Sequence, residues 1–245
     1  MLKLLSMELL KVKRSQALWM MFAIPLVVLL LNVLMLLKRF PISALGEAPW
    51  MRLWMSSTAL WCYFMMPLYI ALITSLLNGL EHKNQTWRLM LTLPVSQRQL
   101  YVAKALLAWL FVAGANAILV GSISLTILLL GLAGASQQGA FVFPMLAFWG
   151  KVSLGCIPVL MIQHAVSWRV RSLVLPLAVG VMSTMGVAQI GSSEHWVWYP
   201  WSYALMAANG SDAAMQSQAL MLAAAVGAVL FALTAYVPGG RETET

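Results

Sequence analysis

The sequence predicts an all-α polytopic membrane protein with six transmembrane helices, an N-terminal interfacial helix and a cytosolic elbow between spans two and three. Three observations carry that expectation. The 245 residues are 62% hydrophobic and 9% charged, with mean hydropathy +0.85, so a water-soluble domain would lack the polar side chains to cover its core. Six apolar segments have the length that a hydrocarbon layer of about 30 Å demands at about 1.5 Å per helical residue, whereas barrel strands would read as alternating runs of about ten. Basic residues gather in alternate connectors, as the positive-inside rule requires of a multi-pass chain.

At the start, residues 1–16, Leu2, Leu5, Leu9 and Val12 recur at helical spacing while Lys3, Lys11 and Arg14 cluster on the other side, the pattern of an amphipathic interfacial helix. Leu4, Met7 and Leu10 widen the apolar side, so the same stretch also suits packing against the protein. Spans are expected at 17–37, 57–80, 105–132, 142–166, 173–190 and 218–237, which makes residues 17–237 one membrane domain and 238–245 a cytosolic tail. The first is too long for a cleaved signal and runs into Lys38 and Arg39 without a small-residue cleavage site, so it reads as a retained span. Pro25, Pro67, Pro158 and Pro176 fall inside spans, where each removes a backbone donor and kinks or hinges the helix. Gly114, Gly121, Gly131, Gly134, Gly180 and Gly186 read as sites of close helix approach, and Asn32 as an interhelical hydrogen-bonding residue.

Eleven of the fifteen Lys and Arg lie in connectors that topology places on one side, including Lys83, Arg88, Arg98, Lys104, Arg169 and Arg171. Both termini are therefore expected inside, against the opposing pull of Lys38, Arg39 and Arg52 in the first outer connector. The net charge of +8 is spent beside membrane spans and not on a module with interleaved aromatics, so nucleic acid is not an expected partner; membrane lipid is.

Catalytic chemistry is hard to assemble from this chain. Its seven Asp and Glu all lie outside spans or at their ends, and His82, His164 and His195 are far apart in sequence. Cys62 and Cys156 have no partner spacing for a metal or disulfide, and no phosphate-binding GxxxxGK[ST] loop occurs, so the chain is expected to be no enzyme and to carry no cofactor or metal. Lys151 is the one cation inside a span and reads either as snorkelling to the outer interface or as a contact for an anionic substrate group. Trp196, Trp198 and Trp201 make the outer connector 191–203 strongly aromatic, which suits an interfacial belt or, more sharply, an exit-side substrate contact.

The elbow runs from Glu81 to Lys104. Pro94 breaks the chain, Ser96 is placed to cap a new helix, and Leu100, Ala103 and Leu107 return that helix to the bilayer. Trp87, Leu89 and Leu91 stand as apolar anchors among polar neighbours, suited to a groove on a soluble partner or to self-packing under the membrane. Glu81, Trp87-Arg88, the run Leu93-Pro94-Val95-Ser96-Gln97-Arg98 and Lys104, with Glu8, Lys11, Lys13-Arg14-Ser15 and Pro25 near the start, resemble ABC-2 type permeases, especially the lantibiotic-protection branch. That resemblance implies a permease subunit of an exporter in the bacterial cytoplasmic (inner) membrane. It implies a second permease copy or paralogue, and separate cytosolic ABC ATPase subunits that hold the ATP and Mg²⁺. It further implies a hydrophobic or amphipathic substrate, in that branch often an antimicrobial peptide. By the same resemblance Glu81, Trp87, Arg88, Leu89, Pro94 and Arg98 would couple to the ATPase, with Arg169 and Arg171 as a second contact. A non-transporting membrane component that docks a cytosolic partner shares the same topology and stays open as the alternative.

Overall fold

The computed structural model describes residues 2–13, 15–83, 96–170, 172–190 and 193–236, and these are helical apart from short connectors. In order they form α1 (Leu2–Val12), α2 (Gln16–Arg39), α3 (Glu47–Leu60), α4 (Met66–Lys83), α5 (Gln97–Leu132), α6 (Met145–Gly155), α7 (Ile157–Arg169), α8 (Val174–Ile190), α9 (Tyr203–Asn209) and α10 (Ala213–Tyr236). Among the described residues, four stretches are long and apolar enough to cross a membrane, namely α2, α3 with α4, α5 and α10, and the pair α6 and α7 makes a fifth if counted as one bent span. The 17 residues of α8 are apolar but fall short of that length.

The second crossing begins at Glu47, ten residues ahead of the expected 57–80, and runs on through Lys83. Hydropathy missed its start because Glu47, Arg52 and Ser56 are polar, yet Glu47 suits the electropositive first turn and Pro49 is tolerated there. Arg52 is accordingly on α3 and not in a connector. Between α3 and α4, Trp61–Met65 forms a π-helical turn in which the Met66 amide donates to the Trp61 carbonyl. Pro67 follows at once; lacking an N–H, it could not have served the carbonyl four residues back, and the wide turn takes up that gap. The combined helix is the bundle's axis: 61% of its most apolar stretch is buried, against 22–28% for α2, α5 and α10.

Prolines act differently at each place. Pro158 lies in the first turn of α7, where the chain bends by 41° after Cys156, so the expected span 142–166 is two helices. Pro176 also lies in a first turn and breaks nothing there. Asn32, expected to bond between helices, instead donates to Val28 O of its own helix at 2.8 Å. Gly180 is a true close approach, since a Cβ there would lie 2.5 Å from the Ala71 Cβ, while nothing lies within 4 Å of one built on Gly121 or Gly134. Cys62 and Cys156 are buried free thiols.

Candidate functional site

The end of the bundle that carries α1 is organised around two buried polar junctions. In the first, Lys104 of α5 reaches Glu8 of α1 at 3.1 Å and donates to the Leu77 carbonyl of α4 at 2.8 Å. Both charged side chains are 2% exposed, and Lys11 closes on the other Glu8 oxygen at 2.5 Å. Burial pushes the Glu8 carboxyl up, but Lys104 and Lys11 outweigh it and hold the group below the usual carboxylate value. One ammonium thus fastens three helices. Leu4 adds an apolar contact between α1 and the Leu100, Tyr101, Trp168 cluster, leaving Met7, Leu9 and Leu10 exposed. Of the predicted apolar stripe, Leu5 and Val12 pack inward and Leu9 does not, because Glu8 and Lys104 set the helix's rotation.

The second junction joins α4 to α7. The His164 Nε2–H donates to Tyr101 O at 3.2 Å, so Nδ1 is the acceptor for the Asn78 amide, also at 3.2 Å. Asn78 donates in addition to Ser167 Oγ at 2.7 Å, and Ser167 donates to His164 O at 3.1 Å. The imidazole stacks at a tilt on Tyr101, with ring centres 4.4 Å apart. Immediately before His164 in the chain, Gln163 bridges to α8: with its amide oriented to satisfy both ends, it donates to Pro176 O at 3.1 Å and accepts from Gly180 N at 3.2 Å. None of Asn78, Gln163 or Ser167 stood out in the sequence, since isolated polar residues in apolar runs carry no pattern until their partners are known.

The elbow springs from these junctions. α4 continues through Lys83, so Glu81 belongs to its last turn, and α5 starts at Gln97. Ser96 caps α5 as anticipated: its Oγ accepts from Gln99 N at 3.2 Å, while the Gln99 side chain accepts from Ser96 N at 3.1 Å. Leu100, Ala103 and Leu107 are buried on the returning helix and Arg98 is exposed in its first turn. Trp87, Arg88, Leu89 and Pro94 lie outside the described residues, as does Arg171. Arg169 curls back onto Ala165 O at 3.2 Å at the end of α7.

The opposite end is joined largely through aromatic side chains. Trp50 and Trp54 of α3 donate to Ser136 O at 2.7 Å and Ala140 O at 2.9 Å, and Trp54 stacks on Phe143 with ring centres 4.8 Å apart. Gly139, at φ +71°, supplies the left-handed turn that presents those carbonyls. Trp196 and Trp201 are buried in the folded 194–203 segment, where Tyr203 donates to Val197 O at 2.7 Å and Ser202 to Trp196 O at 2.8 Å. Trp198 is 83% exposed. Lys151 donates to Gln216 Oε1 at 2.5 Å, and Gln216 in turn donates to Gly210 O at 3.1 Å, so this cation ties α6 to the start of α10. The structure therefore separates the four residues expected near substrate: two are internal, one is engaged between helices, and Trp198 stands outward.

Among the described residues, no group of three or more His, Cys, Asp or Glu is placed to hold a metal. The comparison with known families says what kind of helical membrane chain this is. The model of the ABC-2 family transporter protein matches residues 4–187, three quarters of the chain, and the chain belongs to that family. It is thus a multi-pass membrane subunit of an ABC-2 transporter and not itself the ATPase, in a family that works with cytosolic ABC ATPases. No curated protein and no solved structure matches it.

Proposed function

We propose that this chain is the permease half of an ABC exporter, pairing with a second permease and moving a hydrophobic or amphipathic compound with ATP hydrolysed on a separate subunit. The observation that carries the proposal is the Lys104 junction. α4 and α5, the helices on either side of the elbow, are joined through Leu77 O and Lys104, and the same ammonium grips α1. A push on the elbow by a closing ATPase would therefore move three helices together and not bend one end of a single helix. Glu81, Trp87, Arg88, Leu89, Pro94 and Arg98 form the docking element in this reading, and Arg169 with Arg171 a second contact. Both termini face the cytoplasm of a bacterial cell, and the substrate class favoured by the lantibiotic-protection resemblance is an antimicrobial peptide taken from the membrane.

The test is co-purification followed by transport. Trp87→Ala removes an apolar anchor and Arg98→Glu reverses a charge in the first turn of α5, so both should lose the ATPase at normal membrane insertion. In lipid vesicles the intact complex should export an amphipathic peptide with ATP and not with a non-hydrolysable analogue. Retention of a fully stimulated ATPase by both variants would overturn the docking assignment. Partner binding without ATP-driven export would favour the non-transporting component instead.

A further inference from the structure

Ser6, Leu9, Leu10 and Lys13 fall on one stripe along α1 and its last turn, apolar in the middle and polar at both ends. This stripe faces Leu18 of α2 and Phe111 of α5 across an open cleft of about 480 Å³ whose walls are almost wholly apolar. The volume falls within the range of about 300–1,000 Å³ typical of small-molecule sites. Leu10 is 69% exposed at its edge, an arrangement that costs free energy in water and none against hydrocarbon. The only acid on α1, Glu8, is turned away into the Lys104 junction, so the charge that α1 presents outward is positive.

We propose that the cleft holds one acyl chain of an anionic phospholipid, with Lys13 against the headgroup phosphate. Hydrocarbon matches the apolar walls, and the headgroup's charge matches Lys13, the cation that lines the cleft among the described residues. A second copy of the chain is a poorer occupant, because an isologous contact there would bring Lys13 towards its own equivalent without a counter-charge. The leaflet concerned follows from the cytosolic N-terminus of the proposed function, but the lipid preference does not. Thiol labelling of a Ser96→Cys variant in intact cells tests the orientation separately. Because α1 is clamped by Glu8 to the helix that leaves the elbow, a lipid seated here would bias the position of that helix as well.

Native mass spectrometry of the purified chain in neutral detergent, titrated with phosphatidylglycerol or phosphatidylcholine of equal chain length, reads the proposal directly. The expected result is one tightly held phosphatidylglycerol, favoured about fivefold over phosphatidylcholine. Lys13→Gln should erase that preference while keeping one lipid bound, and Leu10→Glu, which places a carboxylate among the apolar walls, should release both lipids. Equal binding of the two lipids by the unaltered chain would overturn the proposal, as would an undiminished preference in Lys13→Gln. Lipid-free dimers cross-linked through a Leu10→Cys variant would give the cleft to a second copy.

Discussion

The two ends of this bundle are held by different physics. At the α1 end the contacts between helices run through ionised and titratable groups, Glu8, Lys11 and Lys104, with His164 and its amide partners beside them. At the other end they run through indole N–H groups aimed at backbone carbonyls and through stacked rings, with Lys151 to Gln216 as a cation bonded to a neutral amide. Charge pairs in a dry interior are stiff when complete and costly when half broken, whereas a lost indole bond leaves an ordinary neutral defect. The first end is suited to being switched by a partner, and the second to holding its shape while that happens.

The sharpest way to break the comparison is Lys104→Met. Removing the ammonium strands a buried carboxylate that keeps, among the described residues, Lys11 as its one cation, so stability in detergent should fall by about 3 kcal/mol, the low end for a broken buried pair. Adding Glu8→Gln to that variant should restore most of the loss, and a double-mutant cycle on the unfolding midpoint would measure the coupling. A cycle with no coupling would remove the pair from the account. At the opposite end, Trp54→Phe keeps a ring against Phe143 and loses the bond to Ala140 O. Its expected cost is about 1 kcal/mol, read in the same unfolding assay.

The smallest effect expected is on pH. Glu8 has a folded value below its unfolded one, so its contribution is present in full above the unfolded value of about 4.3 and is lost as pH falls through the depressed folded value. Protease access to α1 should be flat from neutral pH down to the ordinary carboxylate range and rise only below it. Glu8→Gln should abolish that rise, and Trp54→Phe should leave it unchanged. A Trp54→Phe chain with an altered acid limb would mean that the two ends are not independent.

Much of the architecture was legible because membranes impose simple lengths. α2, α5 and α10 announce themselves as unbroken apolar runs, and Ser96 read as the cap of a new helix, to which the structure adds the reciprocal bond from Gln99. The early start of α3 was not legible, since its buried face is built from Trp50 and Trp54 between polar residues that hydropathy averages away. The break at Cys156 was half visible in Pro158, whose position in a first turn depends on where the preceding helix stops. Glu8 and Lys104 each belong to the family resemblance; that they meet one another is a fact of packing between residues 96 positions apart in the chain. The junction of Asn78, His164 and Ser167 carried no signal of its own, because a buried amide is recognised by its partners and not by its neighbours in sequence.

The π-helical turn at Trp61–Met65 has a consequence for how length changes in this chain would be tolerated. Tyr69 lies eight positions after Trp61, and an unbroken α-helix would carry it about 80° past the Trp61 face. The rings nevertheless lie 6.2 Å apart, because the wide turn absorbs roughly one residue's worth of rotation, about 100°. One residue of that turn is surplus to the helical register. Deleting Phe64 would convert the segment to plain α-helix and leave Tyr69, Ile73 and Leu77 facing inward, whereas deleting any residue well inside α3 or α4 would swing everything beyond it out of the core. The turn is a built-in slack link, the one place along the bundle's axis where the chain can be shortened by one residue without being rotated.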